Sequence, residues 1–383
     1  MDAMFHLGTL LAEDRDPEGL SWLERARDQA PGEEAIRNNL GHALRQAGRL
    51  DEAREVFEAA ISARPSDAVA LYGLGTVHVS AGSHEEAEPL LARAVAADPT
   101  FVLAVRQHGD VLEALGRTAE ALEAFQRALA LQPRDPQVLR KLGLMYAFLG
   151  RKSMGVAMLR QALSLRPDDP LAAHMLGALT GEGSEQPDDA YVRELFDAFA
   201  DHFDAQLEGV LDYRVPGRVA ELLGEGPLGR VLDLGCGTGL LAPHLVGRCD
   251  TLVGVDLSPA MLEKARLRGG YDALHGASIV DFLGQVDAPY DVVVAADVFV
   301  YVGALEAVFD GVARACRGRF VFTTELAETG LELRPSGRYA HGVDLVDGLV
   351  DRIGARWIHR SIEALRSDAG RPVQGQLVVL ELP

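Results

Sequence analysis

Hydrophobic and polar positions in the first half of the chain recur with a period of 34 residues. Prolines stand at 31, 65, 99, 133 and 167, and glycines at 41, 75, 109, 143 and 177. A second glycine ladder, Gly48, Gly82, Gly116 and Gly150, keeps the same step. A fixed period of this length marks a stack of supersecondary units, none of which can bury its apolar face alone. In the second unit the pattern predicts a helix over 35–46, a stop at Gly48 and another helix over 51–63. Leu40-Gly41 admits a close neighbour, and Ala53, Phe57 and Ala60 share one face at i, i+4 and i+7. Pro65 ends the second helix, because proline cannot continue one.

After Gly229 the period changes. Short apolar runs alternate with helical patterns, which predicts a parallel sheet with helices on both faces. Strands are expected at 230–235, 251–256, 275–280, 291–296 and 319–325, near 356–361, and at 375–381. Helices are expected near 238–247, 258–268, 303–316 and 343–354. Between the halves, 180–189 is polar and rich in helix breakers and reads as a linker. A helix over 191–207 follows, with Phe196, Phe199 and Phe203 at i, i+3 and i+7.

Composition narrows the class. Of 383 residues, 48% are hydrophobic and 25% charged, as in an ordinary globular protein of two domains. The beginning, Met1-Asp-Ala-Met-Phe-His-Leu-Gly, lacks the basic and apolar regions of a secretory signal, and no run is long and apolar enough to span a bilayer. Cys236, Cys249 and Cys316 form no CxxC pair, so neither a disulfide framework nor a metal site is expected, and a cytoplasmic location follows. The net charge of −20 argues against nucleic acid and anionic membrane as partners, since phosphate backbones select clustered Lys and Arg.

Candidate chemistry centres on Val231-Leu-Asp-Leu-Gly-Cys-Gly-Thr-Gly-Leu-Leu241, a buried strand running into a glycine turn and a helix from about Thr238. A second strand, Thr251-Leu-Val-Gly-Val-Asp256, ends in a carboxylate. Strand, glycine turn, helix, strand and acid is how an open parallel sheet binds a nucleoside. A phosphate-binding P-loop is excluded because no Lys follows Gly239. A dinucleotide fingerprint requires GxGxxG, and Leu240 stands where its last glycine would be. Ser258-Pro259 supplies the next helix with a cap and a first residue, which leaves Asp256 for a ligand's vicinal hydroxyls.

The repeat resembles the tetratricopeptide repeat (TPR). Leu74-Gly75, Ala87, Leu91, Ala94 and Pro99 fit one unit, and Leu142-Gly143, Tyr146, Leu159, Ala162 and Pro167 another. The resemblance covers residues 1–180 as about five repeats and a capping helix beginning at Leu176-Gly177. In the first unit Leu7-Gly8 is one residue out of phase with Leu23, Ala26 and Pro31. Position 155 is Gly where Ala is usual. It implies a concave face that holds a protein or peptide, or alternatively a dimerisation surface or a wall over an active site.

The second half resembles the class I S-adenosylmethionine (SAM) methyltransferases. Asp233-Leu-Gly-Cys-Gly-Thr-Gly239 is similar to their first motif and Gly254-Val-Asp-Leu-Ser-Pro-Ala-Met-Leu262 to their second. The tail from Glu332, with Leu365-Arg366, is similar to bacterial TPR-containing predicted methyltransferases. The implied fold of 191–383 is a Rossmann-like α/β domain with N-terminal lid helices, joined through a linker at 181–190. Its sheet is expected to be seven-stranded and mostly parallel, with the last strand antiparallel. SAM is the implied cofactor. Asp256 would take the ribose, the backbone of Gly235, Cys236, Gly237, Thr238 and Gly239 would face the methionine part, and Asp233 would place its amino group. Leu257 and Met261 follow in the second motif. Ser278, with Asp281 three residues later, would meet the adenine, and Tyr213 would act from the lid.

The segment Tyr290–Phe299 corresponds to the fourth motif, where enzymes methylating DNA amines or glutamine amides carry Asn-Pro-Pro-Tyr. This chain has Ala296-Asp297-Val298-Phe299, which points away from nucleic acid. Ala296 and Asp297 are expected at the cofactor. Asp297, Tyr301, Glu325, Tyr339 and His341 are expected around the acceptor, with His341 as base and Glu325 and Tyr339 as further catalytic candidates. The expected activity is methyl transfer to an O or N atom of a small molecule or a protein-borne group, selected or presented by the repeats. The alternative is an interaction scaffold whose methyltransferase domain binds cofactor without turning it over.

Overall fold

The computed structural model describes residues 2–13, 17–30, 32–200, 203–205, 213–368 and 371–383. It divides into two compact units, Met1–Arg166 and Pro167–Pro383.

The first unit is a TPR solenoid. After Asp2–Glu13 and Pro17–Gln29 come the pairs Glu34–Gln46 with Leu50–Ala63 and Ala68–Ser80 with His84–Ala97. Val102–Ala114 with Thr118–Leu131 and Pro136–Phe148 with Lys152–Leu165 complete it. The ladders have a direct packing cause. Gly41 faces Phe57, Gly75 faces Leu91, Gly109 faces Phe125 and Gly143 faces Leu159, so a Cβ at any of them would press on that side chain. In the first pair Gly8 meets Leu23, one residue closer in sequence, which is the phase slip seen in the pattern. The second ladder turns the chain within each pair: Gly48, Gly82, Gly116 and Gly150 have φ of 75°, 75°, 71° and 70°, where other residues are strained. Pro31 lies outside the described residues.

The helix Pro170–Thr180 keeps the repeat phase but counts with the second unit, above the division at Arg166 and below the expected boundary at 180. Asp169 caps it by accepting from the Ala172 amide. Its ladder residue, Gly177, faces Gly183 in the returning chain instead of a partner helix. His174 stacks on Tyr191 at 3.9 Å between ring centroids and is bonded through Nε2 to the Gly337 carbonyl at 2.8 Å. The stretch 181–190, expected as a linker, is bonded along its length. Tyr339 donates its hydroxyl to the Ser184 carbonyl (2.7 Å), the Ala304 amide donates to Glu185, and Gln186 donates to the Ala304 carbonyl.

Among the described residues the sheet has nine strands: β1 Gly229–Leu234, β2 Cys249–Asp256, β3 Ala273–Gly276, β4 Tyr290–Ala295, β5 Cys316–Leu326, β6 Leu331–Leu333, β7 Tyr339–His341, β8 Arg356–Asp368 and β9 Arg371–Glu381. The expected seven run in the order β3-β2-β1-β4-β5-β9-β8, with β9 antiparallel to both neighbours. The extra pair, β6 and β7, is a short antiparallel ladder whose β7 runs parallel to the end of β5. Alternate residues of the inner strands enter two cores. Leu232, Val293, Phe320 and Leu380 lie on one face, and Val231, Val292, Val321 and Val379 on the other. Burial on both faces is why these strands read as continuous apolar runs.

Three expected boundaries differ. The helix after the glycine turn is only Ala242–Leu245, not 238–247, because Gly237 and Gly239 at positive φ prevent a helix from starting earlier. β3 ends at Gly276, since Ser278 accepts from the Asp281 amide and starts the helix Ile279–Leu283. The helix expected over 191–207 is described as Asp189–Phe199 and Phe203–Ala205; the rest of that expectation, 201–202 and 206–207, lies outside the described residues.

Candidate functional site

The strand order reverses between β1 and β4, and the crevice outside their carboxyl ends is where open α/β sheets take ligands. The turn after β1 forms one wall. Its amides are largely engaged within the protein: Gly235 and Cys236 both donate to the Val255 carbonyl (2.7 and 3.0 Å) and Gly239 to the Cys236 carbonyl (2.9 Å). Gly237 donates to Asp256 Oδ2 at 2.9 Å. With those donors engaged and no long helix starting at the turn, it lacks the anion cradle of a phosphate site.

Asp256 ends β2 with its side chain in a defined pose. Oδ1 accepts from the Ser258 amide at 2.9 Å and Oδ2 from Gly237, which leaves further lone pairs on both oxygens. Ser258, not Asp256, caps the helix Pro259–Arg268, accepting from the Met261 amide at 3.1 Å. Burial raises Asp256 above the usual carboxylate range, against the two amides that hold it down.

Asp233 in β1 is 3% exposed and accepts a hydrogen bond from the Tyr271 hydroxyl at 2.6 Å. Burial pushes its pKa up to about 7; the Tyr271 bond opposes the shift and the Asp256 charge adds to it. A carboxyl raised by folding is ionised at a cost to the fold, so its contribution to stability is full below the unfolded value and is lost as pH rises towards 7. Tyr271→Phe keeps the ring against Gly239 and removes the opposing bond. The gap in Tm between wild type and this variant should therefore widen as pH rises from 6 to 8; melting curves in matched buffers check it, and a constant gap would contradict it.

Cys236 is buried with its sulfur beneath the turn near Gly254, and Thr238 is buried, donating to Asp204 Oδ1 at 2.5 Å. Thr238 thereby ties the turn to the segment Phe203–Ala205. Leu257 offers its carbonyl to Arg193 (3.4 Å), and Met261 is fully buried below the second motif. Ser278 is engaged as a helix cap, and Ala296, half-buried, packs against the core. Tyr213 is half-buried against the same core, and its hydroxyl is raised well above its usual range by burial and by the charges of Asp297 and Asp233. Asp297 follows β4 and accepts from Arg366 Nη1 at 2.5 Å.

The helix Asp189–Phe199 and the segment Phe203–Ala205 contact the residues around this turn. On Asp189–Phe199, Asp197 accepts from Ser258 Oγ at 2.5 Å, and Phe196 meets Tyr301 edge-on at 4.7 Å and Phe203 at 5.9 Å. Asp204 is ion-paired with Arg268, which also donates to the Thr238 carbonyl at 2.9 Å. Asp197, Asp204, Tyr271 and Arg366 were not legible as site residues, since each acts through a partner far away in sequence.

The three expected catalytic groups each have a partner, but the buried Nδ1 of His341 has none among the described residues. His341 is 0% exposed; its Nε2 donates to the Gly303 carbonyl at 2.8 Å, and burial lowers its pKa. Tyr339 is buried, with its hydroxyl on Ser184, and burial pushes its pKa up to about 12. Glu325 is held by Arg334 through Oε1 (2.8 Å) and Arg366 through Oε2 (2.6 Å). These contacts fasten the β5–β7 region and the 181–190 stretch. Among the described residues no cluster of His, Cys, Asp and Glu is arranged to hold a metal ion.

Comparison with known proteins matches both halves. Residues 38–100 and 137–169 match tetratricopeptide repeat models and 109–150 a TPR repeat model, while 232–319 match a methyltransferase domain. An uncharacterized methyltransferase of Schizosaccharomyces pombe is 51% identical over 39 residues, a stretch spanning 10% of this chain and 15% of that protein. The chain is similar to a thermophilic TPR protein of Thermus thermophilus (21% identity, TM-score 0.40, 47% of this chain and 98% of that one). It is also similar to magnesium protoporphyrin IX methyltransferase of Synechocystis, solved with SAM (18% identity, TM-score 0.40, 51% of this chain and 98% of that one). The chain carries tetratricopeptide repeats in its N-terminal half and, after them, a methyltransferase domain built around the glycine turn.

Proposed function

We propose that the second unit binds S-adenosylmethionine and transfers its methyl group to an O or N atom of a small-molecule or protein-borne acceptor, which the repeats select or present. The observation that carries this reading is the pairing of Asp256, with lone pairs left on both oxygens, to a turn whose amides are engaged internally. Such a site suits a nucleoside with vicinal hydroxyls and no phosphate. SAM fits both conditions, and its ammonium suits a crevice flanked by the carboxylates of Asp233 and Asp297.

When bound, SAM supplies a methyl group already activated by a sulfonium. Asp256 holds the ribose, the turn at 235–239 meets the amino-acid end through its backbone, and Leu257 and Ala296 supply apolar surface, with the buried Met261 beneath them. Ser278 retains a hydroxyl proton to donate to the adenine. Phe196, Phe203 and Tyr301 form an aromatic wall that excludes water and favours a cation. Holding the acceptor in line lowers the barrier by roughly 7–11 kcal/mol in favourable cases, with no protein base required for an acceptor that is already deprotonated. The engagement of Tyr339 and Glu325 favours such an acceptor. It equally favours the second reading, a scaffold that binds cofactor without turning it over.

Purified protein incubated with methyl-tritiated SAM and host lysate separates the two. Label appearing in a lysate protein or small molecule, and absent with Asp256→Ala, supports the enzyme. Binding of SAM with no label transferred in any fraction supports the scaffold.

A further inference from the structure

Asp297 is, among the described residues, the only non-glycine residue with positive φ, at 57°. A non-glycine residue persists in that region only when its surroundings hold it there. Two bonds do so. Its amide donates to Thr323 Oγ1 at 2.8 Å, and Arg366 Nη1 donates to its Oδ1 at 2.5 Å. Arg366 arrives from β8, its side chain 1% exposed, and its Nη2 donates to Glu325 Oε2 at 2.6 Å. Arg334 then holds the other Glu325 oxygen and the Leu326 carbonyl. Charges of alternating sign thus run Arg334, Glu325, Arg366, Asp297, ending at the carboxyl end of β4. Buried ion pairs seldom stabilise a fold more than apolar packing does, so the arrangement calls for another role.

Its place in the fold supplies one. Val298, next to Asp297, packs directly on Gly235, the first glycine of the turn. β1 and β4 are parallel neighbours with Asp233 opposite Val294, so Asp233 and Asp297 lie at the same carboxyl end of the sheet, on adjacent strands. Asp233 already has one oxygen on Tyr271. On the SAM reading above, we infer that Arg366 is a positioning residue, whose guanidinium fixes Asp297 to receive the ammonium at the amino-acid end of the cofactor.

Calorimetric titration of the full-length protein with S-adenosylhomocysteine (SAH) and with 5′-methylthioadenosine, which lacks the amino-acid end, tests this. Arg366→Met and Asp297→Asn should each weaken SAH by about tenfold or more while methylthioadenosine changes by less than about twofold, the difference expected for one lost charge-assisted bond. Arg366→Lys, which restores a charge, should recover part of the SAH affinity. Parallel loss of both ligands in Arg366→Met, or unchanged SAH affinity in Asp297→Asn, overturns the inference. If Arg366→Met does not fold, the same comparison is decided by Arg366→Lys and Asp297→Asn. A folded wild type that binds neither ligand defeats the cofactor reading itself.

Discussion

Replacing Asp256 with Ala is expected to weaken SAH binding by roughly 10²–10⁴-fold, the equivalent of about 3–6 kcal/mol for two hydrogen bonds to a charged acceptor. The ribose of the cofactor presents two hydroxyls side by side, and one carboxylate at the end of β2 can accept from both. The effect has a second source. Asp256 is also the acceptor for the amides of Ser258 and Gly237, so its loss loosens the join between the glycine turn and the second motif. Asp256→Asn distinguishes these contributions, because its amide oxygen keeps one acceptor and nearly the same shape. Its affinity should fall between wild type and Asp256→Ala, with Tm close to wild type. Equal affinity of all three proteins for SAH would remove Asp256 from the site.

The largest expected effect on stability lies in the other unit. Phe57 is fully buried, its ring lodged between Gly41 of one helix and Gly73 of the next. Phe57→Ala deletes the ring at a point where three helices meet and should cost about 3–5 kcal/mol. In a repeat array each unit is stabilised mainly by its neighbours. The loss should therefore appear in urea unfolding as an earlier transition of the helical signal, while SAH affinity stays unchanged. A variant that unfolds at the wild-type urea concentration would show that the ring does not bear on the array.

The two halves differ in how far the sequence revealed them, for a physical reason. Gly41 and Phe57, or Gly143 and Leu159, contact one another across a single turn between helices, so the contact is written as a local period. The glycine turn and Asp256 were similarly legible, because adjacent parallel strands joined by a short crossover fix their relation. The boundary after the last repeat was not. Tyr339 and Ser184 lie 155 residues apart, and the polar stretch 181–190 gives no local sign that its carbonyls will be bonded to β7 and the loop before Glu306–Ala315. Glu325 and His341 looked available because strand ends beside a ligand crevice often carry reactive groups. Their partners, Arg366 at 41 residues and Gly303 at 38, lie on other elements. The resemblance to methyltransferases supplied the site's outline, and the long-range bonds decided what each side chain in it is able to do.

The central claim is that the crevice beside the turn at 235–239 is built for S-adenosylmethionine and not for a phosphate-bearing nucleotide. Calorimetric titration of the folded full-length protein with SAH, NAD⁺ and ATP tests it most directly. The predicted result is saturable binding of one SAH per chain, with no comparable binding of NAD⁺ or ATP. Tight binding of either nucleotide, or no heat from SAH in a protein whose melting curve is cooperative, would contradict it.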